Sequence, residues 1–185
     1  MKLAIFERTK LTKGDVKRLR REGNVPAVSY GTGKSVRHLY LRGADLQAIL
    51  RDMPKGALAT TMFELQEKGT THRALIKGIQ YNVVSYAVEH IDFLMVDEKN
   101  PVTVNVPIQV VGAAECAGLK LGGTLRQVIR TMKVQCLPKH IPNAFQIDVR
   151  SLGVTQAKRL SDIELPAHVR PLARMEQVAV VIAKQ

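Results

Sequence analysis

The sequence predicts a mainly β protein with a few helices, an α+β chain in two domains. A β-barrel with helical caps would occupy residues 1–96, and a second β-rich domain residues 97–185. Three observations carry that reading. At least six short strand patterns and two helical ones fit into the first 96 residues, a density that suits a closed or nearly closed barrel. Asp97-Glu98-Lys99-Asn100-Pro101 is charged, turn-prone and followed by a new strand, which makes it the best break in the chain. Beyond it, Val102, Val104, Val106, Ile108 and Val110 alternate with Thr103, Asn105, Pro107 and Gln109, the period of a strand with one buried face. A length of 185 residues suits one large or two small domains, and a composition 45% apolar and 24% charged is globular, not that of a disordered tail.

The elements follow in order. Leu3-Ala4-Ile5-Phe6 reads as a first strand. Gly14 to Gly23 reads as a short helix capped by Asp15, with Val16 and Leu19 on its buried side and Gly23 ending it. Lys17 and Arg21, four apart, project from one side together with Arg20 and form a basic patch. Pro26 to Tyr30 is a strand, Gly31-Thr32-Gly33 turns the chain, and Val36 to Leu41 pairs back. Ala44 to Leu50 is a second helix with Leu46, Ile49 and Leu50 on one stripe, closed by Pro54 and Gly56. Further strands are expected at Thr60–Leu65, Arg73–Lys77 and Val88–Val96.

In the second half, Pro107 places its strand at a sheet edge or a bulge, because proline lacks the N–H a central strand needs. Gly118, Gly122 and Gly123 mark loops, and Leu125–Val134 shows no single period. Phe145, Ile147 and Val149 alternate as a strand, and Val178–Ile182 is a continuous apolar run expected in the middle of a sheet. The longest apolar run, Val178 to Ala183, is far too short to span a bilayer, and Met1–Lys10 has no signal-peptide pattern, so the chain is expected in the cytosol. Cys116 and Cys136 are too few for a zinc site or a disulfide scaffold and read as reduced, buried fillers. No cofactor and no metal are expected.

The net charge of +12, from 28 bases against 16 acids, favours a polyanionic partner, because neutralised phosphates release condensed counterions. Residues 8–21 concentrate it, with Arg8, Lys10, Lys13, Lys17, Arg18, Arg20 and Arg21 against the single acid Asp15. Val16 and Leu19 offer too small an apolar face for a membrane-surface helix. With no Trp, four Phe and four Tyr, there is little material for a base-stacking sheet. Gly31-Thr32-Gly33-Lys34-Ser35 ends like a nucleotide-binding loop, but Val28 stands where the first glycine belongs and a strand follows, so a hairpin turn is expected. On the strand His90-Ile91-Asp92, the His and Asp share one face while Ile91, Phe93 and Met95 share the other. Two readings fit the pair, an exposed polar strand face or a ligand-facing one; a catalytic pair lacks a nucleophile, and two residues are too few for a metal. Tyr30 equally fits core packing or a contact to a ribose or base.

Arg8, the basic helix Gly14–Arg21, Asn24-Val25-Pro26-Ala27-Val28-Ser29-Tyr30-Gly31, Ile79-Gln80 and His90-Ile91-Asp92-Phe93, taken in order, resemble the bacterial large-subunit ribosomal protein family that binds 5S rRNA. Val102 to Pro107, Leu121-Gly122-Gly123-Thr124-Leu125, Cys136 to Pro142, Asp148-Val149 and Ser161-Asp162-Ile163 before Leu165-Pro166 match its long two-domain form, the general stress protein CTC family. The resemblance implies a six-stranded N-terminal barrel that grips the loop E region of 5S rRNA. It implies RNA contacts at Arg8, Lys17, Arg18, Arg20, Tyr30, Gln80, His90 and Asp92, to which the charge pattern adds Lys13. Lys17 stands where the family usually has arginine, replacing a planar fork by a point charge. Asn82-Val83 replaces the usual Asp-Pro, so the loop before His90 is expected to take its own path.

The resulting expectation is a non-enzymatic constituent of the large ribosomal subunit, partnered by 5S rRNA and neighbouring ribosomal proteins, with no membrane or small-molecule partner. The first rival is a basic RNA- or DNA-binding stress factor acting off the ribosome. The second, an enzyme using Lys34 or the His90–Asp92 pair, has no nucleophile or phosphate loop to support it.

Overall fold

The computed structural model describes the whole chain except Lys10, Leu11, Thr32, Gly33, Lys55, Lys68, Gln185 and the side chain of Lys34. It divides into two compact units, Met1–Asn100 and Pro101–Gln185.

The first unit is one sheet rolled nearly shut. Its strands are β1 (Lys2–Ala4), β2 (Phe6–Glu7), β3 (Asn24–Gly31), β4 (Lys34–Arg42), β5 (Met62–Glu67), β6 (Thr70–Tyr81) and β7 (Val88–Met95), in the spatial order β1-β5-β6-β7-β3-β4-β2. The expected first strand is thus broken at Ile5, whose side chain turns into the core. Its first half pairs parallel with β5 (Leu3 opposite Leu65) and its second antiparallel with β4 (Phe6 opposite Tyr40). The two edges of the sheet are therefore one residue apart in the chain, and six chain segments make the seven-stranded order.

Leu3, Val25, Ala27, Leu39, Leu41, Phe63, Leu65, Ala74, Ile76, Ile91 and Phe93 alternate inward and fill the interior. Helix α1 (Lys13–Arg21) packs on the outside against β3. Helix α2 (Gly43–Asp52) adds Leu46, fully buried, with Ile49 and Leu50 packed against the same core, the stripe its spacing predicts. Each such side chain taken from water stabilises the unit by about 1.5–3 kcal/mol.

Three local expectations are corrected. The N-cap of α1 is Thr12, whose hydroxyl accepts from the Asp15 N–H at 3.3 Å; Asp15 lies three residues inside, where its carboxylate also accepts from Thr12. Strand β5 starts at Met62 and not Thr60, because the Thr60 and Thr61 hydroxyls donate back to the Ala57 carbonyl at 2.9 and 2.8 Å and hold a helical turn there. Strand β6 continues four residues beyond Lys77, since a register shift between Ile76 and Gly78 lets pairing with β7 resume. The expected Gly31-Thr32-Gly33 turn falls partly outside the described residues. Gly31 and Lys34 pair across it, and β4 follows as a strand where a phosphate loop would need a helix.

The second unit has two sheets. Strands β8 (Val102–Val111), β10 (Thr131–Cys136), β11 (Phe145–Asp148) and β13 (Arg170–Pro171) form one in the order β11-β8-β10-β13. Strands β9 (Thr124–Gln127), β12 (Ala157–Arg159) and β14 (Val178–Ala183) form the other, in the order β12-β14-β9, so the apolar run is central as expected. A single-turn helix, α3 (Ala117–Lys120), precedes β9. Leu125–Val134 has no single period because it supplies two strands to two sheets. Pro107 does not make β8 an edge strand: it lies between two neighbours. Pairing with β11 begins only at Ile108, however, whose N–H points the other way, to the Arg130 carbonyl at 2.8 Å. The missing N–H of Pro107 therefore falls where no neighbour asks for it. Cys116 and Cys136 are free and buried, and burial pushes the Cys136 thiol up.

Candidate nucleic-acid interface

Helix α1 turns half-buried Val16 and Leu19 toward β3, and Gly23, at φ +78°, ends it in a conformation glycine adopts without strain. That anchoring sets the directions of its charges. Lys13, Lys17 and Arg20 recur at four and three residues along one flank, with Arg21 four after Lys17. The Arg20 guanidinium donates to the Glu89 carbonyl from Nε at 3.2 Å and Nη2 at 3.0 Å, so this flank faces the start of β7. Arg18 lies apart from it. Its guanidinium is 3.9 Å from Asp15 and 3.7 Å from Glu22, and all three line a cleft of about 300 Å³ with Arg8 and Tyr40.

Strand β7 runs between β6 and β3. Ile91, Phe93 and Met95 are buried, and His90 and Asp92 occupy the opposite face. Register places Gln80 opposite His90, and both Gly78 and Val28 opposite Asp92, with Tyr30 two residues beyond Val28. His90 Nδ1 stands 3.0 Å from Asp92 Oδ1; an ionised carboxylate only accepts, so the ring N–H at Nδ1 donates and Nε2 takes no part in this bond. The Tyr30 hydroxyl titrates above its ordinary range, first because it is partly buried and second because Asp92 places negative charge nearby. It stays a neutral hydroxyl, able both to donate and to accept.

Gly78 is what lets the carboxylate lie over β6: a Cβ there would stand 3.3 Å from Asp92 Oδ2. A glycine inside a strand pattern is the sequence signal for such a close approach, and spacing and charge alone do not single it out.

Arg8 continues β2, its N–H donating to the His38 carbonyl at 2.9 Å. Arg8 Nε and Nη1 and His38 Nδ1 are buried and lack partners among the described residues. Unpaired buried guanidinium donors are costly, and Arg8 stands in a cleft that Glu7, Asp15 and Glu22 also line.

Family comparisons assign both units. Residues 3–93 match the model of the ribosomal L25p family, and residues 101–185 match that of the ribosomal protein TL5 C-terminal domain. The chain is 41% identical over all 185 residues, and over the full length of both proteins, to the large ribosomal subunit protein bL25 of Chlamydia abortus. It is 40% identical on the same terms to that of Chlamydia trachomatis serovar D, and 38% to that of Chlamydia pneumoniae. The chain belongs to the bL25 family. The family read from the order of its motifs is confirmed, in its two-domain form.

Within this bL25 chain, Lys13, Lys17 and Arg20 flank the surface that carries Tyr30, Gln80, His90 and Asp92, while Arg8 and Arg18 lie together at the cleft on the other flank of α1. The Asn82-Val83 departure also has a structural account. Asn82 Oδ1 accepts from the Val84 and Ser85 N–H groups, each at 2.9 Å, and its Nδ2 donates to Glu89 Oε1 at 2.7 Å. An asparagine side chain thus organises the loop that a proline would have stiffened.

Proposed function

We propose that this chain is a structural protein of the large ribosomal subunit, acting on cytoplasmic ribosomes without catalysis, and that its first unit binds 5S rRNA at the loop E region. The observation that carries the reading is the hydrogen-bonded His90–Asp92 pair on an open strand face, rimmed by Tyr30 and Gln80 and flanked by the cationic side of α1. Family membership supports it, since the relatives are named as large-subunit proteins.

The chemistry divides between the two surfaces. Regular A-form RNA hides its major groove, and a non-Watson–Crick internal loop presents base edges and 2′-hydroxyls that a rigid face can read. Lys13, Lys17 and Arg20 hold phosphates and set the register. Lys17 makes such a contact as a point charge, with no need for the bidentate fork of arginine. Arg8, whose Nε and Nη1 lack partners among the described residues, supplies positive charge at the rim of the cleft, where Arg18 adds less because Asp15 and Glu22 lie within 4 Å of it. Tyr30, Gln80 and His90, through Nε2, meet ribose hydroxyls and base edges. Asp92 repels phosphate, so on this face it accepts from an exocyclic amine or a 2′-hydroxyl.

The test is binding of the full chain to 5S rRNA and to an unrelated duplex of equal length, at two salt concentrations. Preference for 5S rRNA is expected, with His90→Ala and Asp92→Asn eroding the preference more than the basal affinity. Equal affinity for both RNAs, falling together as salt rises, would instead mark a sequence-tolerant nucleic-acid binder acting off the ribosome.

A further inference from the structure

From Gly78 to Glu98 the chain has no lysine or arginine. In the middle of that stretch, the loop joining β6 to β7 holds Val83, Val84 and Tyr86 out into solvent at 87%, 89% and 80% exposure, with Tyr81 half-exposed at its base. Contiguous apolar side chains displayed this way mark an interaction surface. The loop is also built to hold its shape. Beyond the two N–H groups that Asn82 Oδ1 collects, the Asn82 N–H donates to the Ala87 carbonyl at 2.8 Å and the Tyr86 N–H to the Asn82 carbonyl at 2.9 Å. Tyr86 itself sits at φ +55°, in the left-handed region that a bulky non-glycine residue rarely adopts. Backbone strain at the most exposed aromatic residue among those described points from structure toward function.

We propose that this loop is a non-ionic arm of the RNA interface: the Tyr86 ring stacks on an unpaired base or ribose, and Val83 and Val84 lie against neighbouring sugars. The proposal rests on reading the His90–Asp92 surface as the RNA face, because the loop continues that hairpin. Three residue steps separate Gln80 from Val83, at most about 10 Å of chain, so RNA seated on Gln80 and His90 passes within reach of the tip. The chemistry of the tip favours bases and sugars over phosphates: the stretch itself carries no cation, Glu89, Asp92, Asp97 and Glu98 give it negative charge, and Arg20 meets it only at the Glu89 carbonyl, at the base of the loop. Stacking needs no charge and accepts any base.

The experiment measures full-chain affinity for 5S rRNA across a salt series for Tyr86→Asn, Tyr86→Phe, the double variant Val83→Ser/Val84→Ser, and Asp92→Asn. Asparagine tolerates the left-handed backbone, so Tyr86→Asn removes the ring without forcing the loop to refold. It should weaken binding about tenfold while leaving the log-affinity versus log-salt slope unchanged. Tyr86→Phe should bind like wild type, and the double variant should fall between. If Tyr86→Asn binds as wild type while Asp92→Asn is weakened, the arm is refuted and the strand face stands. Unchanged affinity in both variants refutes the RNA face and the arm with it. Normal binding to 5S rRNA with failure to enter large subunits would overturn the proposal in favour of a protein neighbour, and so would a slope that falls together with affinity.

Discussion

Replacing Gly78 by alanine separates the reading surface from the stability of the barrel, because the two should respond differently. Gly78 has an ordinary backbone conformation, so the substitution carries no left-handed strain. Alanine narrows the unfolded ensemble and should stabilise the unit by up to about 1 kcal/mol. The added Cβ, however, would stand 3.3 Å from Asp92 Oδ2, tighter than ordinary contact, so the carboxylate must turn away. Turning it loosens the 3.0 Å bond from His90 Nδ1 or drives the side chain off its rotamer, at about 0.5–1.5 kcal/mol. That offsets the backbone gain and leaves net stability within about 0.5 kcal/mol of wild type. Binding has no such compensation. A misplaced Asp92 forfeits one hydrogen bond to a base or ribose, about 1–3 kcal/mol, which weakens binding by about 5-fold to 150-fold on the cognate loop alone. Thermal melting and RNA binding on the same preparation read both quantities. If Gly78→Ala keeps wild-type affinity and preference, or loses affinity only in step with a drop in melting temperature, Asp92 is not part of a reading surface.

Other outcomes follow from the same geometry. Removing Lys13, Lys17 and Arg20 together should flatten the salt dependence of log affinity by about 0.7–0.9 for each phosphate no longer held, for matched and mismatched RNA alike. Arg18→Ala, which removes a charge already paired to Asp15 and Glu22, should shift the slope by less than half of what one phosphate contributes. Arg37 on β4 reaches buried Glu67 of β5 at 2.7 Å and Glu7 of β2 at 3.8 Å; Glu67→Ala should cost about 1–3 kcal/mol in chemical denaturation, and no measurable change would make the bridge ornamental. The fragment Met1–Asn100 should fold and keep most of the affinity for 5S rRNA. A folded fragment that binds no better than residues 101–185 would place the RNA face wrongly. Cys116 and Cys136 should resist a thiol reagent in the native chain and react once the second unit unfolds, so rapid native labelling would contradict their burial.

What the sequence makes legible is periodic. Ile91, Phe93 and Met95 against His90 and Asp92 is an alternation that only a strand with two different faces produces, and Leu46, Ile49 and Leu50 form a stripe that only a helix produces. Pairing between distant segments leaves no such mark. Tyr30 stands beside Asp92 because β3 runs parallel to β7 across more than sixty residues of intervening chain, and nothing near Tyr30 in the sequence announces that neighbour. The cap of α1 is ambiguous in sequence because Thr12 and Asp15 are both good capping residues, and only backbone geometry shows which lies outside the helix. Arg18 groups with its basic neighbours by composition, although Asp15 three before it and Glu22 four after it already fit an ion-paired flank, a pattern visible in the helical spacing.

The separation of charge from polarity on this surface has a mechanistic consequence. Phosphate contacts are strong and nearly indifferent to sequence, so a cation among the reading residues would hold RNA equally well in several registers. With seven bases in residues 8–21 and a net charge of +12, the field of the protein draws RNA in. The stretch from Gly78 to Glu98 then adds no attraction of its own for the backbone. On the proposed reading Asp92 goes further: any register that brings a phosphate opposite it would be penalised, and one that brings an amine or hydroxyl would be rewarded. Specificity on such a surface arises as much from what it repels as from what it binds. Asp92→Asn should therefore tighten binding to unrelated RNA even as it weakens binding to the cognate loop.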